Sequence, residues 1–240
     1  MPPPASAHTG APRFGRSRRP LTQFFVISGS HGVGKTTVAA LVRDIMEDRG
    51  HAMTTFHHRT DKAAIADASR AQQTNRPTWK RKLWRLIPTS VRAWLVAAKD
   101  EVHYARSVTK RVAAATEMGQ LAISDRYVYD RLVDLRLHGR PRQQVSAVGA
   151  ACRLMRKPDM TFLLIDSPAR IHARKDELSL TQIAAYQGAL KDLFARLHIP
   201  HCEIDVAGRE AALVAEDIVA SIENALQTGP GRDRDQPGAA

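Results

Sequence analysis

The apolar positions of this chain fall into a few short runs set between longer stretches of helical period. Phe24-Phe25-Val26-Ile27 has no polar alternation and the length of a strand buried on both faces. Val38, Leu41, Val42, Ile45 and Met46 then recur at helical spacing, with Gly50 as a stop. The first strand is placed at 24–28, with others expected at 52–56, 120–124, 160–165 and 201–204. Helical patterns fill 97–115, 128–157 with a break at Gly139-Arg140-Pro141, 179–197 and 210–226. Ser179-Leu180-Thr181-Gln182 matches a capping box and marks one helix start. The resulting order is strand, loop, helix, strand, a long helical region at 60–118, then strand and helix alternating three times. That order predicts an α/β fold: a three-layer, doubly wound sheet of about five parallel strands. Residues 1–20 read as a disordered basic arm, 21–227 as one domain and 228–240 as a disordered tail.

The first strand runs into Gly29-Ser30-His31-Gly32-Val33-Gly34-Lys35-Thr36-Thr37. This fits the phosphate-loop pattern G-x-x-x-x-G-K-[ST], between a strand and a helix as that pattern requires. Glycines let backbone N–H groups close around an anion, and the helix N-terminus adds partial positive charge. Lys35 can reach β- and γ-phosphates, and the Thr36 hydroxyl can ligate Mg²⁺. A bound nucleoside triphosphate with Mg²⁺ is therefore expected. Gly29, Ser30, His31, Gly32, Val33, Gly34, Lys35, Thr36 and Thr37 form its cradle.

Charge adds a second expectation. The 240 residues carry a formal charge of +12, with an isoelectric point near 10.3 and a hydrophobic share of 43%. Such a balance suits anionic partners, although a generally arginine-rich surface has the same sign. No RNA-binding signature or zinc spacing accompanies it, so nucleic acid ranks last among partners. Trp79, Trp84 and Trp94 stand among Lys80, Arg81, Lys82, Arg85 and Arg92. That segment reads as helices covering the sheet, as a pocket for an anionic acceptor or, less favoured, as a membrane-surface patch. Cys152 and Cys202 supply no disulfide framework and read as small core residues. No apolar run has membrane-spanning length, and no apolar signal centre opens the chain, so a cytoplasmic protein is expected.

Three strand ends carry further candidates. His57, His58 and Arg59 follow the second strand, where open α/β sheets bind ligands. Asp125-Arg126-Tyr127 follows the third: Asp125 can join the Mg²⁺ shell and Arg126 can fork onto a phosphate. Asp166-Ser167-Pro168 ends the fourth and leads into Arg170, Arg174 and Lys175, cations able to close over transferring phosphates.

In this order the phosphate loop, Ser124-Asp125-Arg126-Tyr127, Pro158-Asp159, Asp166-Ser167-Pro168 and Arg174 with Glu177 resemble the thymidylate kinase family over roughly residues 22–226. The segment 119–205 is closest to thymidylate-kinase-like proteins. The resemblance implies a P-loop kinase fold and transfer of the γ-phosphoryl of ATP to a nucleoside monophosphate, dTMP first. Lys35 and Thr36 would hold ATP·Mg²⁺, with Asp125 assisting, and Arg126 would hold the acceptor phosphate. Arg170, Arg174 and Lys175 would belong to a lid at 170–182, with Arg174 over the adenine and the loop at Gly208 opposite. A homodimer stays open. The chain departs from the family at Ser28, where a glutamate is usual, at His31, where an aspartate is usual, and at His57-His58-Arg59-Thr60, which replaces an arginine-glutamate-proline segment. The ATP half therefore matches the family and the acceptor half does not. A sugar, an antibiotic-like metabolite or a lipid-linked head group is the alternative acceptor, with His31, Asp125 or His57 as base for a hydroxyl. A non-catalytic ATP-binding protein is the third reading.

Overall fold

A computed structural model of the chain describes residues 23–57 and 87–228. Five strands, β1 (Phe24–Gly29), β2 (Met53–His57), β3 (Leu121–Asp125), β4 (Met160–Ile165) and β5 (His201–Asp205), form one parallel sheet in the order β2-β3-β1-β4-β5. Among the described residues seven helices cover it: α1 (Lys35–Asp48), α2 (Thr89–Glu117), α3 (Val128–Leu137), α4 (Arg142–Leu154), α5 (Pro168–Arg174), α6 (Leu180–Leu197) and α7 (Ala211–Thr228). The expected doubly wound, P-loop kinase architecture is therefore observed.

The apolar run of β1 explains its central place. Phe24 and Val26 face one helical layer, and Phe25 and Ile27 the other, all at most 1% exposed. Each such side chain contributes roughly 1.5–3 kcal/mol of burial free energy. The two layers differ in composition. On one side Phe24, Tyr127, Tyr129 and Phe194 interlock edge to face at centroid separations of 5.3–5.6 Å. On the other, aliphatic side chains of α1 and α7 dominate. The aromatic chain matters for function because it roots the first turn of α3 in the core, directly after Arg126.

The chain runs from β1 through α1 to β2, returns to β3 beside β1, then crosses to β4 on the other side of β1. The carboxyl ends of β1, β3 and β4 thus open together, at the reversal where such sheets bind ligands. Several boundaries differ from the sequence expectation. β3 and β5 run through Asp125 and Asp205, so these carboxylates end strands rather than open loops. Helix α2 begins at Thr89, because Pro88 suits a position just before a helix better than one inside it. Helix α7 continues to Thr228, one residue into the segment expected as tail. Cys152 is buried as expected, whereas Cys202 is only partly so. Trp79, Trp84, His58, Arg59, the basic arm and most of the tail lie outside the described residues.

Candidate functional site

The phosphate loop leaves β1 at Gly29, where a Cβ would lie 2.7 Å from the Leu164 carbonyl oxygen. Only glycine allows β1 and β4 to approach this closely. Gly34 then takes φ +103°, a conformation costly for any other residue, and hands the chain to α1. Lys35 folds back over the loop. Its Nζ donates to the carbonyl oxygens of Gly29 at 2.7 Å and Ser30 at 2.5 Å. Burial, followed by the charge of Arg126, lowers the Lys35 pKa to about 8, against the pull of Asp130, Asp125 and Asp134. Buried Ser30 Oγ has no hydrogen-bond partner among the described residues.

On one flank of the loop, Thr36 Oγ1 donates to Asp125 Oδ2 at 2.7 Å. His57 Nε2 stands 3.5 Å from the same oxygen. Asp125 Oδ1 is buried without a hydrogen-bond partner among the described residues, although a carboxylate oxygen demands one. A cleft of about 420 Å³ opens over Thr36, His57 and Asp125. A hydroxyl beside a carboxylate with unused acceptor capacity suits a hard cation that keeps most of its waters. Among the described residues no group of three or more His, Cys, Asp or Glu side chains gathers as a metal cage.

On the other flank stands Arg126, in the left-handed region at φ +69°. Such a conformation costs of order 1–3 kcal/mol and must be held by its surroundings. Its N–H donates to the Ile27 carbonyl at 3.0 Å, and its carbonyl accepts from Ser124 Oγ at 2.7 Å. The guanidinium reaches the loop, with Nη1 3.4 Å from His31 Nε2. His31 in turn meets Asp134 of α3 at 2.9 Å through Nε2, and approaches Glu177 at 3.7 Å through Nδ1. The Tyr186 ring meets it edge to face. Burial works to raise the Asp134 pKa, but the hydrogen bond and charge of His31, with Arg126, hold it below the usual range. An ionised Asp134 only accepts, so its hydrogen bond with His31 needs a proton on Nε2.

Behind this row lies Asp130, fully buried. It accepts from Ser28 Oγ at 2.7 Å and from the backbone N–H of Tyr127 at 3.1 Å. Burial raises its pKa, opposed chiefly by Lys35 and Arg126. Ser28 and His31 are the two strand-and-loop positions at which the acidic residue usual in the resembling family is absent. Each is hydrogen-bonded here to an aspartate of α3.

The expected lid residues separate. Arg174 pairs with the buried Asp166 at the end of β4, rather than lying open toward the loop at Gly208. Arg170 takes that place: a Cβ on Gly208 would be 2.8 Å from Arg170 Nη1. Lys175 pairs with Glu177 at 3.0 Å, and its Cβ lies 3.2 Å from where a Cβ on Gly32 would be. The segment thus rests against the phosphate loop, with its three cations pointing to different partners. Asp130, Asp134 and Tyr186 were not marked as site residues from sequence. The available signal was the acidic pair at i and i+4 directly after Asp125-Arg126. Such a pair repels on an isolated helix unless cations face it.

No family model matches the chain. Over most of its length it is similar to three curated proteins, each named a probable thymidylate kinase. The protein of Thermococcus kodakarensis is 25% identical over 219 residues, covering 85% of this chain and 98% of that protein. Those of Thermococcus gammatolerans and Thermococcus onnurineus are 24% and 23% identical, with 86% and 85% of this chain covered. Among the described residues no helix is long and apolar enough to cross a membrane.

Proposed function

We propose that this protein is an ATP-dependent phosphotransferase of thymidylate-kinase type, acting on a nucleoside monophosphate, with dTMP the first acceptor to test. One observation supports the reading most: the Arg126 guanidinium, from the end of the adjacent strand, comes within 3.4 Å of His31 of the phosphate loop, which sets two candidate anion holders side by side. The similarity to proteins named probable thymidylate kinases supports it.

Each residue then has a task. The loop N–H groups and Lys35 bind the β- and γ-phosphates of ATP, and Lys35 exchanges its two carbonyl partners for phosphate oxygens. Thr36 and Asp125 would hold Mg²⁺, which neutralises phosphate charge when bound. Arg126 forks onto the acceptor phosphate and aligns it for in-line attack. Gly32, lying under Lys175, couples the phosphate loop to the lid. Arg170 flanks the adenine side beside Gly208, while Arg174 is held by Asp166. An acceptor phosphate is already ionised, so positioning and charge neutralisation suffice. Residues 60–118, of which 87–118 are described, would supply the acceptor side, and 170–182 the lid.

A second reading is favoured by the His31–Asp134 pair. A histidine oriented by a carboxylate is a residue type suited to take a proton from a hydroxyl. A hydroxyl-bearing sugar or metabolite would then be the acceptor. The test is ATP turnover by the full chain against nucleoside monophosphates, nucleosides and phosphosugars, with Lys35→Met as control. Turnover with a nucleoside monophosphate, lost in Lys35→Met, is expected. Turnover confined to unphosphorylated acceptors would select the second reading, and ATP binding without any turnover would contradict both.

A further inference from the structure

Away from the phosphate loop, α3, the turn at Gly139 and α4 border an open cleft of about 440 Å³. Four arginines line it: Arg136 from α3, Arg140 from the turn, and Arg142 and Arg153 from α4. No carboxylate lines it. Some exposed arginines elsewhere in this protein find acids, as Arg49 does with Glu216 and Glu223, and Arg209 with Asp217. Among the described residues none of the four cleft arginines makes an ion pair. Gathering like charges in a concavity raises the local potential, and is costly unless an anion enters.

Two further features point the same way. Helix α4 opens at the cleft without a side-chain cap and without an acidic residue in its first turn, so its positive end adds to the field. Gly149, midway along the α4 face of the cleft, has no packing reason to be glycine. A Cβ there would meet only Leu132 Cδ1, at 4.0 Å, which is ordinary contact. A helical glycine costs about 1 kcal/mol relative to alanine. Its effect is a floor left open between the flanking guanidinium groups.

We infer that this cleft is a second anion site and takes an oligophosphate chain, either inorganic or as the tail of a nucleotide. Arg142 and Arg153 stand eleven positions apart on α4, about 16 Å along the axis, which suits several linked phosphates rather than one. Guanidinium forks match phosphate oxygens in pairs. The cleft residues include no aromatic side chain on which a base could stack, which disfavours single-stranded nucleic acid. The site is independent of the phosphate loop but shares a helix with it. Asp134, which holds His31, and Arg136 are two residues apart on α3, about 200° around its axis. An anion bound in the cleft would therefore act on the helix that orients His31.

The test is calorimetric titration of the full chain with inorganic tripolyphosphate in a Lys35→Met background, which removes the lysine of the phosphate loop. One equivalent should still bind. Arg136→Gln with Arg153→Gln should weaken that binding about tenfold or more, as should Gly149→Glu, which places a carboxylate on the floor at a position where helix propensity favours the change. Gly149→Glu keeps the test valid should the double arginine variant fold poorly, as judged by circular dichroism. A parallel titration with a nucleoside triphosphate separates the sources: equal affinity means that the phosphate chain alone is read, and tighter binding that the nucleoside is also held. No binding in the Lys35→Met chain, binding unchanged by the cleft substitutions, or a single-stranded oligonucleotide preferred over tripolyphosphate at the same arginines would overturn the inference.

Discussion

The two flanks of the phosphate loop are built by different means. Toward β2, a threonine, an aspartate and a histidine stand at strand and helix ends, over an open cleft. Their chemistry is local and repeats what the loop motif implies. Toward β4, Arg126, His31, Asp130, Asp134, Glu177 and Tyr186 come from β3's end, the loop, α3, the lid segment and α6. That flank carries an acid–imidazole–guanidinium row against buried aromatic walls. On the proposed reading the first flank serves the nucleoside triphosphate, whereas the second defines what else can enter. Of the departures from the resembling family, Ser28 and His31 fall on the second flank, each answered by an aspartate of α3, while His57 falls on the first. Carboxylates are retained near the cleft but stand one hydrogen bond further back.

The largest expected effect tests what both flanks share. Lys35→Met should lower turnover about 10³-fold or more, because phosphate charge then meets no cation in the loop. The same substitution should not destabilise the protein. Lowering the Lys35 pKa from 10.5 to about 8 corresponds to about 3 kcal/mol against its charged form. That penalty is complete below pH 8 and fades as pH rises to 10.5, because over this window the unfolded chain binds the extra proton. A melting temperature at neutral pH equal to or above that of the parent, with the difference shrinking between pH 8 and 10.5, is the signature. A large fall would mean that the Lys35 hydrogen bonds outweigh its burial.

The next effect separates the flanks. Arg126→Ala should lower kcat/KM for the acceptor about 10²-fold while changing the KM for ATP no more than about threefold. Steady-state kinetics with each substrate varied in turn reads the split. Smaller again, His31→Gln should lower kcat about tenfold or less with a phosphorylated acceptor, since no proton needs removal. A fall beyond about 10²-fold, together with loss of the acid limb of the pH profile, would favour the hydroxyl acceptor. The gentlest effect is on ATP binding itself. Because free Lys35 loses its proton above about pH 8, affinity should decline there by at most about tenfold per pH unit. Titration with a nucleotide between pH 7 and 9.5 checks the direction.

The same contrast decides what was legible in the sequence. The loop, the apolar strand before it and the helix after it are contiguous, so motif and periodicity together were sufficient. β4 was placed to the residue because Pro158 and Pro168 bracket an apolar run. Helix α6 was found at its start because Ser179 and Gln182 exchange hydrogen bonds. The second flank was only half visible. Arg126 declared itself by following a strand, but its partners lie 95 residues before it through His31 and up to 60 after it through Tyr186, and no local pattern links them. The lid arginines show the complementary case. Their spacing suggested one cationic face, whereas Asp166 claims Arg174 and the Gly208 turn receives Arg170.

The central claim is that the phosphate loop and the neighbouring Arg126 guanidinium hold two anions side by side. Its most direct test is the affinity of a bisubstrate compound that joins adenosine to the acceptor nucleoside through a polyphosphate bridge. The account predicts binding about 10²-fold or more tighter than ATP alone, with that gain abolished by Arg126→Ala while ATP affinity stays within about threefold. A bisubstrate compound that binds no better than ATP, and equally well to the Arg126→Ala chain, would contradict it.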